Sequence, residues 1–338
     1  MNDRQVLQNY LIEEFYDDYR AGEISRRTFV RRVAFITGGM AAAVPAMIAV
    51  GCTPSELPKA TDPIPAADTP AGPTAAAATA VGAAATLAPT SVPPSEPRSP
   101  LSVAADDPAV SAATATFVSD VDGAPVFAYL AKPAAADGPV PGILVCHENR
   151  GLTAHIEDVA RRLAKAGYAA LAIDLCSREG GTATLDRDKV PGLLTDAGPE
   201  RHVADFISGG AFLKAQSGVD PDRLGMTGYC FGGGITWRCA TKMADLKAAV
   251  PFYGPAPDLA DVPNIKAAVF GVYAELDERI GAGVPALEEA LKAANITYQV
   301  KIYPGVNHAF HNDTGDRYVE AQATQAWEDT MAWFTKYV

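Results

Sequence analysis

Gly228-Tyr229-Cys230-Phe231-Gly232-Gly233-Gly234 follows a strand-like run, Arg223-Leu224-Gly225-Met226-Thr227, and opens a helix-compatible segment. A strand that turns abruptly into a helix strains the backbone of its turn residue. Glycines two positions to either side then leave room for close approach. The pattern predicts a nucleophile elbow with cysteine in place of serine. Cys230 would sit beneath a helix N-terminus, whose dipole and free N–H groups favour a thiolate and an oxyanion together. A glycine-rich turn around a buried cysteine has the same local sequence, so the decision rests on the rest of the chain.

Around the elbow, strands alternate with helices from about Ser111 onward. Ala113–Ser119 and Pro125–Ala131 alternate in polarity about Asp122-Gly123, as an antiparallel hairpin does. Gly142–Cys146, Ala169–Asp174, Arg223–Thr227, Ala248–Tyr253, Ala267–Val272 and Tyr298–Tyr303 are short apolar runs, as parallel strands buried on both faces should be. Helical stretches fall at His155–Ala166, Glu200–Gln216, Gly232–Met243, Val284–Ala294 and Tyr318–Lys336. The expected fold class is α/β, an α/β-hydrolase with a mostly parallel central sheet and helices on both faces. A Rossmann fold would need a glycine fingerprint after its first strand, and Gly232-Gly233-Gly234 has the wrong spacing for a phosphate loop.

Active sites of parallel sheets gather at the C-terminal ends of the strands. One such end continues into Tyr273-Ala274-Glu275-Leu276-Asp277-Glu278-Arg279 and the last into Pro304-Gly305-Val306-Asn307-His308-Ala309-Phe310. The chain order is therefore nucleophile, acid, histidine, the order this fold imposes. His308 is the expected base for the thiol proton, and Asp277 the acid that orients it; Glu275 and Glu278 compete for that role but lie at less suitable distances past the strand. After Gly142–Cys146 comes His147-Glu148-Asn149-Arg150-Gly151, where a second oxyanion donor belongs. The backbone N–H groups of Phe231 and Asn149 are the expected pair. Glu148 beside a nucleophile would repel a thiolate and raise its pKa; as an alternative it is a solvated loop acid.

These motifs, with Asp174-Leu175-Cys176-Ser177-Arg178-Glu179-Gly180-Gly181-Thr182, make residues 111–338 resemble the dienelactone hydrolase (carboxymethylenebutenolidase) family. The resemblance implies a triad of Cys230, Asp277 and His308, and a Glu148 that keeps the cysteine a neutral thiol until substrate binding redirects the carboxylate. It implies that Arg178 binds a substrate carboxylate. A second arginine, expected one helical turn beyond the histidine, is replaced by His311 and Asn312, with Arg317 further on. That departure implies a broader hydrolase of small esters or lactones acting through an acyl-enzyme.

The first third of the chain reads differently. Residues 1–24 are helix-compatible and acidic, an expected cytoplasmic extension without chemistry. Ser25-Arg26-Arg27-Thr28-Phe29 precedes a moderately apolar run, Val33 to Val50, interrupted by Gly38, Gly39 and Pro45. This resembles a twin-arginine export signal, the alternative being a single transmembrane anchor. Ile48-Ala49-Val50-Gly51-Cys52 resembles a lipoprotein cleavage site, with Cys52 the acylated residue, although Ala49 stands where leucine is more usual. Residues 25–52 are thus expected to be a signal, 53–110 an Ala/Pro/Thr-rich disordered tether, and 111–338 the catalytic domain. The expected location is extracytoplasmic, membrane-tethered through lipid and reached by the twin-arginine machinery.

The 338 residues carry a net charge of −12, which disfavours nucleic acid and anionic membrane surfaces as partners. Membrane contact is expected only through the signal or anchor. Five cysteines show neither a C-x-x-C pair nor zinc-site spacing, and no metal or organic cofactor is implied. Cys146, Cys176 and Cys239 read as core residues. Competing functions are a non-catalytic binding protein on a hydrolase scaffold, a thiol redox protein, a serine esterase using Ser208 or Ser217, and an acyltransferase with the same triad.

Overall fold

The computed structural model describes residues 3–68 and 98–338. In chain order its elements are α1 (Asp3–Arg20), α2 (Arg26–Thr37), α3 (Met40–Ala49), β1 (Val110–Val118), β2 (Pro125–Pro133), β3 (Val140–Cys146), α4 (Ala154–Lys165), β4 (Ala169–Ile173), α5 (Val190–Ala197), α6 (Pro199–Lys214), β5 (Val219–Tyr229), α7 (Phe231–Lys242), β6 (Ala248–Phe252), β7 (Ala268–Ala274), α8 (Glu278–Gly281), α9 (Val284–Ala293), β8 (Tyr298–Tyr303) and α10 (Glu320–Tyr337). The strands form one 8-stranded sheet in the order β1-β2-β4-β3-β5-β6-β7-β8. The β1–β2 and β2–β4 pairs are antiparallel. Every other pair is parallel.

The apolar runs explain the layering. Every residue of β4, β6 and β7 is buried, so helices must cover both sides of those strands. The eight expected strands and the α/β-hydrolase class are borne out. The hairpin closes where Gly123 takes φ 71° and donates to Ser119 O at 2.9 Å. The expected helices appear as α4, α6, α7, α9 and α10, while α5 and the short α8 are additional.

The N-terminal third departs from expectation. Residues 1–24 do not form a bare extension: α1 buries Leu7, Tyr10, Leu11, Ile12 and Phe15. Helix α2 buries Phe29, Val30, Val33, Ala34 and Ile36. Its partner is α5, and the two backbones come so close that a Cβ on Gly192 would lie 2.8 Å from Phe35 O. Arg31 and Arg32 both donate to Asp188 at 3.0 Å. The apolar run Val33–Val50 is split between α2 and α3, which bend by 109°. Among the described residues no single helix is long and apolar enough to cross a membrane.

The catalytic unit also begins earlier than residue 111. Ser99 Oγ donates to Asp313 at 2.7 Å, Val103 N to Asp158 at 2.7 Å, and Arg161 Nε to Val103 O at 2.8 Å. Helix α4 and the loop carrying Asp313 are thereby pinned by a stretch that composition alone assigned to the tether. The remainder of that tether, residues 69–97, lies outside the described residues.

His202 on α6 is fully buried beneath the elbow, edge-on to Phe231 at 5.5 Å, with Nε2 donating to Leu194 O at 2.8 Å. Burial pulls its pKa from 6.5 down to about 3. Unfolded chains therefore bind this proton first as the pH falls. The stability that neutral His202 contributes is complete above pH 6.5 and is lost progressively between 6.5 and about 3. Its share is up to about 1.4 kcal/mol per pH unit. Urea unfolding across this range should show a slope shallower by that amount in His202→Gln, which keeps a donor for Leu194 but does not titrate; an unaltered slope would mean that His202 takes up its proton without unfolding.

Candidate active site

The site is built from the C-terminal ends of β3, β5, β7 and β8. Cys230, between β5 and α7, has φ 59° and ψ −120°. Added Cβ atoms show why glycines surround it: on Gly228 one would lie 2.3 Å from Gly232 O, and on Gly232 2.5 Å from His147 O. The elbow is locked from both sides, Cys230 N donating to Phe252 O at 3.0 Å while Gly233 N donates to Cys230 O at 2.9 Å.

The loop after β7 turns into α8, whose N-cap is Asp277; its Oδ1 accepts from Ile280 N at 3.3 Å. Its other oxygen, Oδ2, accepts from His308 Nδ1 at 2.6 Å. Burial opposes ionisation of Asp277, but the positive charge on His308, their hydrogen bond and Arg279 outweigh it and hold the carboxyl below its ordinary range. Burial likewise works against a charged His308, and Asp277 and then a second carboxylate, Glu14, reverse that effect and raise its pKa. His308 Nε2 is buried and makes no hydrogen bond. One ring nitrogen of His308, a carboxylate oxygen of Glu14 and the sulfur of Cys230 all lie within 4.8 Å of one another.

Glu14 comes from α1. The Cys230 thiol donates to Glu14 Oε1 at 3.1 Å, with Oε2 at 3.4 Å, and the Tyr10 hydroxyl lies 3.6 Å from the same sulfur. Asn149 Nδ2 donates to Glu14 Oε1 at 2.5 Å, and Arg279 lies 3.8 Å from Oε2. Burial tends to protonate Glu14, but His308 and Arg279 prevail and keep its pKa low. The thiol responds in the opposite sense: burial first, then Glu14 and Glu148, push it well above the ordinary range. With Arg279 already against the carboxylate, a metal ion gathered by Glu14, Cys230 and His308 would bring a second cation into the same buried space.

The structure brings Cys230, Asp277 and His308 together, with Phe231 as the first residue of α7 and Asn149 at the rim. Asn149, selected for its backbone N–H, also reaches the sulfur's carboxylate partner with its side chain. Glu148 is buried nearby, but its Oε2 accepts from Asn312 Nδ2 at 2.7 Å and the carboxylate touching the thiol is Glu14. His147 fixes this loop: Leu175 N donates to its Nε2 at 3.2 Å, so Nδ1 carries the proton and donates to Glu148 O at 2.6 Å.

Arg178 is not aimed at this cluster. Its guanidinium forks onto Asp122 at 2.7 and 2.9 Å and onto Asp205 at 2.7 and 2.9 Å. Two carboxylates thus occupy the donors that a substrate carboxylate would need. Cys52 is buried, and burial, reinforced by Glu56, raises its pKa to about 11. The residues missed from sequence are Tyr10, Glu14 and Arg279. A signal existed: Glu14 and Asp18 stand one helical turn apart on the stripe of Leu7, Tyr10, Leu11 and Phe15, where a carboxylate must find a partner when the stripe is buried.

The dienelactone hydrolase family model matches residues 126–338. A Salmonella typhi protein named as a candidate carboxymethylenebutenolidase is 35% identical over 259 residues, covering 72% of this chain and 94% of that one. One of the same designation from Methylorubrum extorquens is 37% identical over 223 residues, covering 62% and 76%. The crystal structure of a candidate dienelactone hydrolase from Klebsiella pneumoniae aligns with a TM-score of 0.61 at 33% identity, covering 67% of this chain and 100% of that chain. This chain belongs to the dienelactone hydrolase family and is a hydrolase of ester or lactone type.

Proposed function

We propose that the chain hydrolyses small carboxylic esters or lactones through a covalent thioester on Cys230. The observation that carries this reading is the His308–Asp277 pair at 2.6 Å, with a ring nitrogen of His308 within 4.8 Å of a cysteine held on a strained elbow. His308 Nε2 takes the thiol proton as sulfur attacks the ester carbonyl. Asp277 stabilises the imidazolium, and the N–H groups of Phe231 and Asn149 receive the developing oxyanion. Collapse of the tetrahedral adduct breaks the carbon–oxygen ester bond, and His308 returns the proton to the leaving alkoxide. A water molecule deprotonated by His308 then attacks the thioester, releasing the acid and restoring the thiol.

Turnover of a small aryl ester should fall about a thousandfold or more in Cys230→Ala and in His308→Ala, because one removes the covalent step and the other its proton carrier. Mass spectrometry of the wild-type chain quenched during turnover should find the acyl group on Cys230. Full activity in Cys230→Ala would end this reading.

Arg178 serves in this reading as a brace between the β1–β2 hairpin and α6. Its side chain is 13% exposed and that of Asp205 is fully buried. Arg178→Ala leaves Asp205 buried without its cation and should cost about 3 kcal/mol of stability. The ratio of kcat/KM for anionic and neutral esters should hold steady. Loss confined to anionic esters would instead make Arg178 a substrate clamp.

We also propose that residues 25–52 direct twin-arginine export and that Cys52 is acylated, on the strength of the paired arginines and the Ala-Val-Gly-Cys sequence. Fractionation of cells carrying Arg26→Lys/Arg27→Lys should find the precursor in the cytoplasm, and Cys52→Ser should release exported protein from membranes. Unaltered export of the first variant would assign the segment another role.

A further inference from the structure

We propose that α1 is a built-in, displaceable inhibitor that covers Cys230, and that the surface around the elbow is a binding site for this acidic helix. Three independent observations meet here. The first is steric: Cys230 is 3% exposed, with Glu14 at 3.1 Å and Tyr10 at 3.6 Å from its sulfur. An ester carbonyl must approach sulfur to about 3–3.5 Å before it reacts. The space that approach needs is filled by the Glu14 carboxylate, which also engages the Asn149 side chain at the oxyanion rim.

Charge complementarity is the second observation. Acids of α1 and of the turn that follows it meet arginines of the catalytic unit: Asp3 with Arg238 at 2.8 Å, Asp17 with Arg279 at 3.1 Å, Asp18 with Arg317 at 2.6 Å, and Glu23 also with Arg317. Arg279 additionally lies 4.8 Å over the Tyr10 ring. The third is that the catalytic unit is complete without this helix. The family match starts at Val126, and 67% of this chain accounts for the whole of the Klebsiella chain. The segment carrying α1 is an addition joined to that unit through the Ala/Pro/Thr-rich stretch 69–97. A cut in that stretch, or the cut before Cys52 that acylation of this residue requires, would remove its covalent link, so the inhibition belongs to the uncut precursor.

The inhibitory consequence rests on Cys230 being the nucleophile; the covering of the sulfur does not. Full-length chain is therefore compared with Glu14→Ala, and with Glu13→Ala, which removes the same charge from an exposed position of the same helix. Iodoacetamide alkylation mapped to Cys230 and turnover of a small aryl ester are read on each preparation. Glu14→Ala should raise both rates about tenfold or more, as loss of a charge-assisted contact shifts the helix toward release, and Glu13→Ala should raise neither.

Because the remaining ion pairs can hold a truncated α1 in place, a further sample carries a protease site within 69–97 and is cut and diluted. Both rates should rise, a peptide spanning residues 3–24 should suppress them again, and the same peptide with Glu14→Ala should not. The proposal is overturned if uncut wild-type chain alkylates at Cys230 as fast as the cut chain, or if turnover rises on cutting while alkylation stays fixed. Faster alkylation with no ester turnover in any sample would leave α1 as the cover of Cys230 and sink the esterase reading alone.

Discussion

The positive φ of Cys230 is the constraint on which the rest of the site depends. A non-glycine residue at φ 59° and ψ −120° costs about 1–3 kcal/mol and persists only where its surroundings over-determine it. Here they do: the amide is tied to β6 through Phe252 O, and the carbonyl accepts from the first turn of α7. A Cβ on Gly233 would lie 2.3 Å from Phe252 O, so α7 crosses the ends of β5 and β6 with nothing but hydrogen between. The sheet order follows from the same constraint, since β5 must be central for α7 to cross buried strands on either side of it.

Electrostatics then decides the resting state. A helix N-terminus stabilises a nearby anion by about 0.3–1 kcal/mol, and by about 2 kcal/mol in favourable buried geometries. Two like charges 3.1 Å apart repel by about 5 kcal/mol at an effective dielectric constant of about 20. The carboxylate therefore outweighs the dipole, and the thiol stays protonated although the elbow geometry favours a thiolate. Asp277 and Glu14 both raise the pKa of His308, Arg279 lies against Glu14, and the sulfur beside them stays neutral. Glu148, drawn aside by Asn312, contributes a weaker repulsion from the same direction.

Much of the catalytic unit was legible because its signals are local. Short apolar runs announce buried strands, and the order Cys230, Asp277, His308 falls at the ends of β5, β7 and β8. What was not legible depended on contacts distant in sequence. Arg178 sits in a motif that resembles the family's, yet its direction is set by Asp122 and Asp205, which no local pattern connects to it. Residues 98–110 look like tether by composition; their placement comes from Asp158 and Asp313, side chains supplied by other elements. Helix α5 is short, and much of its burial comes from α2, which itself reads as part of a signal.

The N-terminal segment shows how one sequence supports two readings. A moderately apolar run behind paired arginines satisfies an export pattern, and its residues also satisfy the end of one packed helix and a second, wholly apolar one when broken at Gly38-Gly39. The break turns the run back on itself by 109°, so that Met40, Ala43 and Met47 are buried while Ile48 is left exposed. Arg31 and Arg32 settle on Asp188, while Arg26 and Arg27 lie further out, donating to the backbone of Glu56 and Ala66. Charged pairs at such a rim are individually weak and screened by salt, whereas the buried face of α1 is apolar except at Glu14 and Asp18. Burying those two carboxylates is tolerable only against cations and donors already in place, which here are Arg279, Asn149 and Arg317. The position of α1 is therefore set less by its own propensity than by the charges of the site it covers.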